Sequence, residues 1–401
     1  MAGKKILYIS GSLGLGHITR DLAIARELRK QNPEVEITWL AAHPANVLLK
    51  ETGEKILPEA DMYADDNIPA ENAAKGTQLN LLKYLSNARR EWTHNVKIFK
   101  QATSREQFDL IIGDEAYEIN IALRENPLLK KAPFVMIYDF VGLDAMTKNP
   151  FERLKVYFWN RIWSKHYKHG RPPAFDLGLF VGEEEDVPDR KFGFMLPNRR
   201  DFAKALYKFT GYIFPFDPAE YADKAKIRSK LGYGSEPLVV CSIGGTSIGK
   251  ELLELCGRAF PIIREKIPDL RMVLVCGPRL SAKSLQVPNE VEIREYVPAL
   301  YEHFAVSDLV IVQGGATSTL ELTALRCPFL YFPLEGHCEQ EVQVANRLTR
   351  YQAGVKMTYS QTSPESLAEQ VISNIGKKVT YKPIPTDGAQ KAAELINELL
   401  V

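Results

Sequence analysis

Residues 6–28, ILYISGSLGLGHITRDLAIAREL, join a short apolar run to an amphipathic run through a loop with three glycines. The apolar run is typical of a parallel strand buried on both faces, because it is short and carries almost no polar residue. The run after the loop predicts a helix, since its apolar residues recur on one face: Ile18, Leu22, Ala25 and Leu28. The segment therefore predicts a strand, a loop and a helix. His17 stands where the loop enters the helix.

The same alternation of strands and helices continues along the chain. Buried strands are predicted in the first half by KKILYIS, VEITWLAA, FDLIIGD and APFVMIYD, and in the second half by PLVVCSI, RMVLVCG, VEIREYV, DLVIVQ and PFLYFP. KELLELCGRAFPIIREK and STLELTALR predict helices between the strands of the second half. This alternation predicts an α/β fold made of two Rossmann-like, doubly wound domains that face each other across a cleft.

A segment rich in proline, glycine and aromatic residues, FTGYIFPFDPAEYADK, predicts the linker between the domains near residues 200–220. We expect an N-terminal domain over residues 1–205 and a C-terminal domain over residues 206–401. The closing segment AQKAAELINELL predicts a last helix that packs back on the N-terminal domain. Ligands are expected outside the carboxyl ends of the strands, where doubly wound sheets bind them.

The composition indicates a globular protein of the cytoplasm. Of the 401 residues, 45% are hydrophobic and 25% are charged, and the net charge of +1 gives no reason to expect nucleic acid as a partner. The start of the chain has no signal-peptide pattern, and no apolar run approaches the roughly 20 residues that span a bilayer. The five cysteines form no C-x-x-C pair, which favours free thiols over disulfides or a zinc site. No metal site is expected.

Two glycine-rich loops come close to known nucleotide-binding patterns without matching them. The first loop has the spacing G-x-x-G-x-G, whereas the dinucleotide-binding pattern is G-x-G-x-x-G. The second strand ends in LAAHP and lacks the acidic residue that binds a ribose in dinucleotide folds. The second loop, GGTSIGKE at residues 244–251, has Glu251 where a P-loop needs a hydroxyl for magnesium. Its position before a helix still allows its N–H groups to hold a phosphate.

Residues 312–333, VQGGATSTLELTALRCPFLYFP, predict a third nucleotide loop between two strands. Small residues let a ligand approach the backbone, hydroxyls stand at the helix start, and a carboxylate one turn on can accept both hydroxyls of a ribose. These residues are Gly314, Gly315 and Ala316, then Thr317 and Ser318, then Glu321. The alternative is that Ser318 and Thr319 only cap the helix and that Glu321 is a charge in its first turn.

Residues 295–348, EYVPALYEHFAVSDLVIVQGGATSTLELTALRCPFLYFPLEGHCEQEVQVANRL, resemble the donor-binding signature of GT-B glycosyltransferases. The likeness is to inverting UDP-sugar enzymes, both the plant and macrolide type and the peptidoglycan-type N-acetylglucosaminyltransferases. The G-H pair at Gly16 and His17 is similar to the first loop of these enzymes, and GGTSIGKELLE is similar to their second glycine loop.

The resemblance implies that the N-terminal domain (1–205) binds the acceptor and the C-terminal domain (206–401) binds the nucleotide sugar. It also implies a role for each part of the signature. Backbone near Tyr296 and Val297 would read the uracil, Gly315, Thr317 and Ser318 would hold the diphosphate, and Glu321 would hold the ribose. Glu339 and Gln340 would contact the donor sugar. The full set expected to bind the donor is Gly16, Gly245, Thr246, Tyr296, Val297, Gly314, Gly315, Ala316, Thr317, Ser318, Glu321, His337, Glu339 and Gln340.

Two positions depart from the plant pattern. Gln313 stands where plant-type members have a histidine, and the gap from Pro333 to Glu339 and Gln340 is longer than theirs and closer to the peptidoglycan type. The sugar of the plant enzymes therefore does not carry over to this chain.

His17 is the candidate catalytic base. In an inverting transfer an acceptor hydroxyl attacks the anomeric carbon opposite the leaving UDP and must lose its proton, which an imidazole can accept near neutral pH. In plant-type members an aspartate orients this histidine, and Asp114 at the end of FDLIIGD matches that position. Glu115 and Asp139 are the nearby alternatives to Asp114. The alternative interpretation of His17 is that it only packs against the loop and has no catalytic role.

Residues 147–171, TKNPFERLKVYFWNRIWSKHYKHGR, combine basic and aromatic residues, and residues 79–100 are similar in character. A helix of this kind can lie on an anionic membrane surface, which would suit a lipid-linked acceptor and a peripheral location at the inner membrane face. The alternative is a solvated helix face with an aromatic core side.

These observations favour an inverting, metal-independent hexosyltransferase that moves a hexose or N-acetylhexosamine from a UDP-sugar to an acceptor hydroxyl. No cofactor is expected besides the UDP-sugar substrate. A first alternative is a nucleotide-sugar hydrolase of the same fold, in which His17 activates water, because such enzymes also have the pattern G-H-x-x-R in this loop. A second is a protein that binds a nucleotide sugar or lipid head group without catalysis.

Overall fold

The computed structural model describes residues 3–11, 13–165 and 173–400, apart from the side chains of residues 81, 82 and 85–90. The chain divides into two compact units. The N-terminal unit contains residues 1–70, 81–215 and 385–401, and the C-terminal unit contains residues 71–80 and 216–384. The boundary expected after residue 205 therefore lies after Pro215, because a further strand of the first sheet follows residue 205. Residues 71–80 also depart from the continuous N-terminal domain that was expected, whereas residues 385–401 join the N-terminal unit as the prediction for the last helix stated.

The strands alternate with helices in the order that the sequence indicates. The strands are β1 (Lys5–Ile9), β2 (Glu36–Leu40), β3 (Lys55–Ile56), β4 (Ala74–Lys75), β5 (Gln78–Leu79), β6 (Leu110–Asp114), β7 (Phe134–Tyr138), β8 (Leu177–Val181), β9 (Lys208–Gly211), β10 (Leu238–Ser242), β11 (Arg271–Val275), β12 (Glu292–Arg294), β13 (Leu309–Gln313), β14 (Phe329–Phe332) and β15 (Val355–Lys356).

The α-helices of the described residues connect these strands. They are α1 (Gly16–Gln31), α2 (Ala45–Glu51), α3 (Asn67–Ala73), α4 (Leu81–Arg105), α5 (Tyr117–Glu125), α6 (Pro150–Trp163), α7 (Arg199–Leu206), α8 (Lys224–Lys230), α9 (Lys250–Arg264), α10 (Leu300–Val306), α11 (Ala316–Ala324), α12 (Ala345–Tyr351), α13 (Pro364–Asn374) and α14 (Gly388–Asn397).

The sheet of the N-terminal unit is parallel, with the strand order β3-β2-β1-β6-β7-β8-β9. Alternate residues of β1 enter two separate cores, because a parallel sheet is covered on both faces. Ile6 and Tyr8 belong to the core that includes α1 and α14, whereas Leu7 and Ile9 belong to the core that includes α4 and α5. The order reverses between β1 and β6, so the loops after these strands meet at the switch point where such sheets bind ligands.

The sheet of the C-terminal unit repeats this arrangement. Its strands are parallel in the order β12-β11-β10-β13-β14-β15, which reverses between β10 and β13. The strands β4 and β5 form a separate antiparallel hairpin within residues 71–80 of the same unit. The prediction of two Rossmann-like, doubly wound α/β domains is therefore confirmed.

The last helix of the chain, α14, packs on α1 in the N-terminal unit. Ala392 and Ala393 are fully buried, and their small side chains let the helix approach closely. At the start of the helix a side chain on Gly388 would place its Cβ 2.3 Å from the Tyr212 carbonyl oxygen. At its end the Asn397 amide donates to Gln31 of α1 at 2.8 Å. The end of the chain is thus part of the first core.

None of the helices in the described part of the chain is both long enough and apolar enough to cross a membrane.

The packing of α14 generates a first prediction. Replacement of Ile396, which is fully buried in the core with α1, leaves a cavity. We expect Ile396→Ala to lower the free energy of unfolding by about 2–5 kcal/mol, measured by urea unfolding followed by circular dichroism. Glu394→Ala, on the exposed face of the same helix, is the control and should change stability by less than about 0.5 kcal/mol. Equal losses in the two variants would contradict the packing.

Candidate active site

His17 lies at the start of α1, beside the carboxyl end of β6. Gly11 makes this approach possible, since a Cβ there would lie 3.2 Å from the Asp114 carbonyl oxygen and 3.3 Å from Cγ of His17. Gly14 has a φ of 71°, a left-handed conformation that favours glycine. Its N–H donates to Asn67 Oδ1 at 2.8 Å, which fixes the loop. The glycines of the first loop therefore shape the backbone around His17 and Asp114.

The His17 ring contacts carboxylates from the end of β6. Nδ1 lies 3.1 Å from Asp114 Oδ2, and Nε2 lies 3.6 Å from Glu115 Oε2. Asp114 is fully buried, whereas 13% of the His17 side chain remains exposed. Of the carboxylates that the sequence offered as partners of His17, Asp114 is the one within hydrogen-bond distance. Asp139 belongs to the same cluster but contacts Arg20.

Arg20 is the site residue that the sequence analysis did not single out. Its guanidinium donates twice to Asp114, with Nε 2.8 Å from Oδ2 and Nη2 2.6 Å from Oδ1, and its Nη1 donates to Asp139 Oδ2 at 2.7 Å. The spacing G-H-x-x-R contains the signal, because residues three apart on a helix share a face. Arg20 thereby reaches the ends of both β6 and β7.

The charges of this cluster follow from burial and from Arg20. Burial opposes ionisation of Asp114, but the charges of Arg20 and His17 hold the pKa of Asp114 below its ordinary value. The pKa of Asp139 is lowered in the same way, against the effect of burial. Burial and the adjacent Asp139 raise the pKa of Glu115 well above its ordinary value. Of these three carboxyl groups Glu115 therefore binds its proton most tightly, and it shares a hydrogen bond with Asp139.

The proton on His17 has two possible positions. When Nδ1 is protonated it donates to Asp114, and Nε2 keeps a lone pair that can accept a proton. When Nδ1 is not protonated it accepts from Arg20 Nη2, which lies 2.8 Å away. The first tautomer is the one suited to a base, because the carboxylate beside Nδ1 stabilises the imidazolium that forms.

In the C-terminal unit, three loops meet at the carboxyl edge of the sheet. The loop after β11 approaches the glycine-rich loop after β10 so closely that a Cβ on Gly277 would lie 2.2 Å from the Gly244 carbonyl oxygen. In the amide orientation that satisfies its neighbours, Gln313 at the end of β13 donates to the carbonyl oxygens of Ile248 at 3.1 Å and Ile243 at 3.3 Å. Gln313, which replaces the histidine of the plant pattern, thus supports the glycine-rich loop.

The start of α11 is open to an anion. Gly315 is its N-cap and no side chain caps the helix. The Thr319 hydroxyl instead donates backwards to the carbonyl oxygens of Gly315 at 2.9 Å and Ala316 at 3.0 Å. The alternative that Ser318 and Thr319 cap the helix is therefore wrong. The first N–H groups of the helix, from Ala316 to Ser318, are the donors that suit a phosphate.

Glu321 lies further along α11 and is only 6% exposed. No hydrogen bond to its carboxyl group is found among the described residues, and burial raises the pKa of Glu321 to about 8. The interpretation as a surface charge in the first helical turn is therefore wrong. A carboxyl group with this pKa is mostly protonated at neutral pH, so it can donate one hydrogen bond and accept others.

The three residues expected at the donor sugar lie in one loop after β14. Glu339 begins a π-helix, Glu339–Val344, a form that is frequent at functional sites. Gln340 Oε1 accepts from the Leu334 N–H at 2.8 Å, and the Gln340 N–H donates to His337 Nδ1 at 3.4 Å. His337 Nδ1 also lies 4.0 Å from Glu339 Oε2. The side-chain oxygen of Gln340 is thus engaged by the protein backbone.

The remaining predicted donor residues occupy loops. Tyr296 and Val297 follow β12, which ends at Arg294, so the strand is shorter than VEIREYV suggested. Thr246 belongs to the same loop as Gly245, and its hydroxyl accepts from the Ile248 N–H at 3.3 Å. Gly314 packs against the loop after β14, where a Cβ would lie 2.8 Å from Pro333 Cα.

Gly16 is the first residue of α1 and belongs to the N-terminal unit, while the other expected donor residues belong to the C-terminal unit. Within the residues that the structure describes, no group of three His, Cys, Asp or Glu side chains is arranged to hold a metal ion.

Comparison with known proteins gives consistent results for the whole chain. Residues 239–399 match the glycosyltransferase family 28 C-terminal domain. An uncharacterized glycosyltransferase from Methanosarcina acetivorans is 26% identical over 381 residues, which cover 91% of this chain and 88% of that protein. The UDP-N-acetylglucosamine–N-acetylmuramyl-(pentapeptide) pyrophosphoryl-undecaprenol N-acetylglucosamine transferase of Carboxydothermus hydrogenoformans is 28% identical over 335 residues, 82% of this chain and 77% of that protein.

The fold is also found among solved structures. The crystal structure of the glycotransferase of kitacinnamycin superimposes with a TM-score of 0.60 at 15% identity, covering 100% of this chain and 95% of that one. The strand order of both sheets agrees with these similarities. The chain is a glycosyltransferase with the GT-B fold, and its C-terminal part is similar to the C-terminal domain of glycosyltransferase family 28.

Proposed function

We propose that this glycosyltransferase moves a hexose or N-acetylhexosamine from a UDP-sugar to an acceptor hydroxyl, with inversion and without a metal ion. The observation that carries the proposal is the His17 ring, held at a switch point by Asp114 at 3.1 Å. The Carboxydothermus hydrogenoformans relative is named as a transferase that uses UDP-N-acetylglucosamine, which supports the choice of donor.

His17 Nε2 would accept the proton of the attacking hydroxyl. The Asp114 carboxylate favours this step, because its pKa lies below the ordinary value and its Oδ2 is 3.1 Å from Nδ1 of the ring that becomes cationic. Arg20 would act as a positioning residue, since it fixes the Asp114 carboxylate that orients the ring.

The open N-terminus of α11 would hold the diphosphate of the donor and stabilise the negative charge of the leaving UDP. Backbone N–H groups there are already aimed at the ligand, so this stabilisation needs no metal ion. Glu321 would bind the ribose hydroxyls, and backbone near Tyr296 and Val297 would read the uracil. His337, Glu339 and Gln340 would contact the sugar.

The acceptor would be lipid-linked and bound at the cytoplasmic face of a membrane. An apolar stripe follows one face of α6 and continues in a neighbouring loop, and its side chains are exposed although they are large and hydrophobic: Phe151, Leu154, Phe158, Ile162, Phe194 and Met195. Exposed basic residues flank it, namely Lys148, Arg153, Lys155, Arg161 and Lys165.

This arrangement favours a membrane surface over a merely solvated helix face, since the exposed face of α6 is apolar. The Carboxydothermus hydrogenoformans relative is named for an acceptor linked to undecaprenol, which agrees with this proposal. Tyr167, Lys168 and Arg171 of the same basic aromatic run lie outside the described residues, as do several side chains of residues 79–100.

The role of His17 can be tested by replacement. We expect His17→Ala to lower the transfer rate about 10²–10⁴-fold, the usual contribution of a general base, and to leave the dissociation constant of UDP unchanged. Transfer is measured with radiolabelled UDP-sugars and a lipid extract, and UDP binding by calorimetry. His94→Ala, which removes an exposed histidine of the same unit, is the control. Substantial residual transfer by His17→Ala would contradict its assignment as the base. Rapid stoichiometric release of UDP by the native chain without an acceptor would indicate the alternative function, a nucleotide-sugar hydrolase.

Burial of Glu321 predicts a pH dependence of stability. Its pKa is about 8 in the folded protein, against an ordinary value of 4.5, so the folded state binds the proton more tightly. Stability should therefore fall as the pH rises from about 5 to 8. Glu321→Gln has no carboxyl group to ionise here and should not lose this stability. The free energy of unfolding of the variant minus that of the native chain should therefore increase between pH 5 and pH 8, measured by urea unfolding. Glu290→Gln, an exposed residue, should show no such increase. Parallel pH profiles for Glu321→Gln and the native chain would refute the prediction.

The apolar stripe on α6 predicts binding to anionic vesicles. We expect the chain to sediment with phosphatidylglycerol vesicles at low salt and the double variant Phe151→Ser, Phe158→Ser to bind about tenfold more weakly. High salt should weaken binding as well, because the basic residues are exposed and screened. Leu128→Ser, an exposed apolar residue on another segment, is the control. No binding to anionic vesicles at low salt would remove the membrane from the proposal.

A further inference from the structure

Residues 71–80, which interrupt the N-terminal unit, belong to the C-terminal unit and lie on two of its loops. The hairpin of β4 and β5 is fixed to the loop before His337, because the Leu79 N–H donates to the Glu335 carbonyl oxygen and the Glu335 N–H donates to the Thr77 carbonyl oxygen, both at 2.9 Å. Gly336 permits this approach, since a Cβ there would lie 2.8 Å from the Leu79 carbonyl oxygen. The hairpin therefore contacts the loop that leads to the proposed sugar-binding residues.

At its other end the segment contacts the glycine-rich loop through Glu71. One carboxylate oxygen accepts from Arg279 Nε at 2.7 Å and from the Ser247 N–H at 3.0 Å, and the other accepts from Arg279 Nη2 at 2.7 Å. The Glu71 side chain is 20% exposed and that of Arg279 12%. Burial opposes the charge, but the hydrogen bonds from Arg279 and Ser247 hold the pKa of Glu71 below its ordinary value.

The donors around Glu71 form an anion site by their chemistry. A guanidinium offers two parallel N–H groups that fit a carboxylate or a phosphate equally well. The Ser247 N–H belongs to the glycine-rich loop before α9, a kind of loop that binds phosphate oxygens through its backbone. Arg279 follows β11, whose loop approaches this one at Gly277 and Gly244. A side chain of the protein itself thus shows that these groups bind an oxyanion.

We propose that Arg279 and the Ser247 N–H bind a phosphate group of the nucleotide-sugar donor, and that the Glu71 carboxylate competes with the donor for them. The inference rests on the proposed function and adds to it a residue that binds the donor and an internal competitor. A phosphate that takes the Nε and Nη2 donors of Arg279 and the Ser247 N–H releases Glu71, because these are the donors that the Glu71 carboxylate occupies. Donor binding is thereby coupled to residues 71–80 and, through the hairpin, to the loop before His337.

The competition predicts opposite effects for the two partners. In Glu71→Gln the neutral amide competes less well for Arg279 and the Ser247 N–H, so we expect UDP to bind about tenfold more tightly. In Arg279→Gln the charged donor is lost, and UDP should bind about 10–100-fold more weakly, as for other charge-assisted hydrogen bonds. Uridine lacks the phosphates, so its dissociation constant should stay the same in both variants.

The test is calorimetry of the full chain with UDP, uridine and inorganic pyrophosphate, with circular dichroism to verify the fold of each variant. Glu254→Gln removes a carboxylate on α9 that contacts Lys250 instead of Arg279, and it should leave all three affinities unchanged. Gln78→Ala loosens the hairpin without changing Glu71, since it removes the contact from Gln78 Nε2 to the Glu335 carboxylate. This variant therefore measures what happens when only the contact between the hairpin and the loop before His337 is weakened.

The outcomes separate this inference from the proposed function. Tighter binding of UDP and pyrophosphate by Glu71→Gln, with unchanged uridine binding, supports the competition. Unchanged or weaker UDP binding by Glu71→Gln, or an effect equal to that of Gln78→Ala, overturns the proposed competition. Glu71 then only holds residues 71–80 to the glycine-rich loop. If the native chain binds UDP but Arg279→Gln binds it equally well, the phosphate site is refuted while the proposed function stands. If neither the native chain nor Glu71→Gln binds UDP, the proposed function fails together with the inference.

Discussion

The ion pair between Arg20 and Asp114 is the interaction on which the first site depends. The topology brings the ends of β6 and β7 together, and with them the buried carboxylates of Asp114 and Asp139. Two such charges repel each other in a medium that screens poorly, and Arg20 compensates both. Loss of one partner of a buried pair commonly destabilises a protein by about 3–5 kcal/mol. The orientation of His17 is thus a consequence of a pair that also stabilises the fold.

The two units have the same topology but bind charge in different ways. At the switch point of the N-terminal sheet the charged groups are side chains, and Gly11 of the first loop leaves room for His17 beside Asp114. At the switch point of the C-terminal sheet the groups are backbone N–H donors, and the side chains of Gln313 and Gln340 are engaged by the backbone of nearby loops. One unit is therefore suited to moving a proton and the other to binding an anion.

Local sequence patterns were sufficient for most of the strands and for the division into two α/β units, because parallel strands are continuous apolar runs. The end of the first unit was placed too early, since β9, with the sequence KFTG, is short and lies in a segment rich in turn residues. Arg20 was missed because its acidic partners lie far along the chain, although its spacing from His17 was visible. The pair of Glu71 and Arg279, 208 residues apart, has no local signal at all. Gln313 departs from the histidine of the plant pattern, and its role in supporting a loop depends on strand neighbours that a sequence does not reveal.

The position of α14 has a consequence for the order in which the protein is made. The N-terminal unit is built from residues 1–70, 81–215 and 385–401, so α1 lacks the helix that covers it until the end of the chain is synthesised. At roughly 5–20 residues per second, that delay is on the order of ten seconds or more. During this time the apolar face of α1 that later contacts Ala392 and Ile396 is uncovered while the C-terminal unit leaves the ribosome. Neither unit is one continuous stretch of the gene product, and the first can be completed only after the second has been translated.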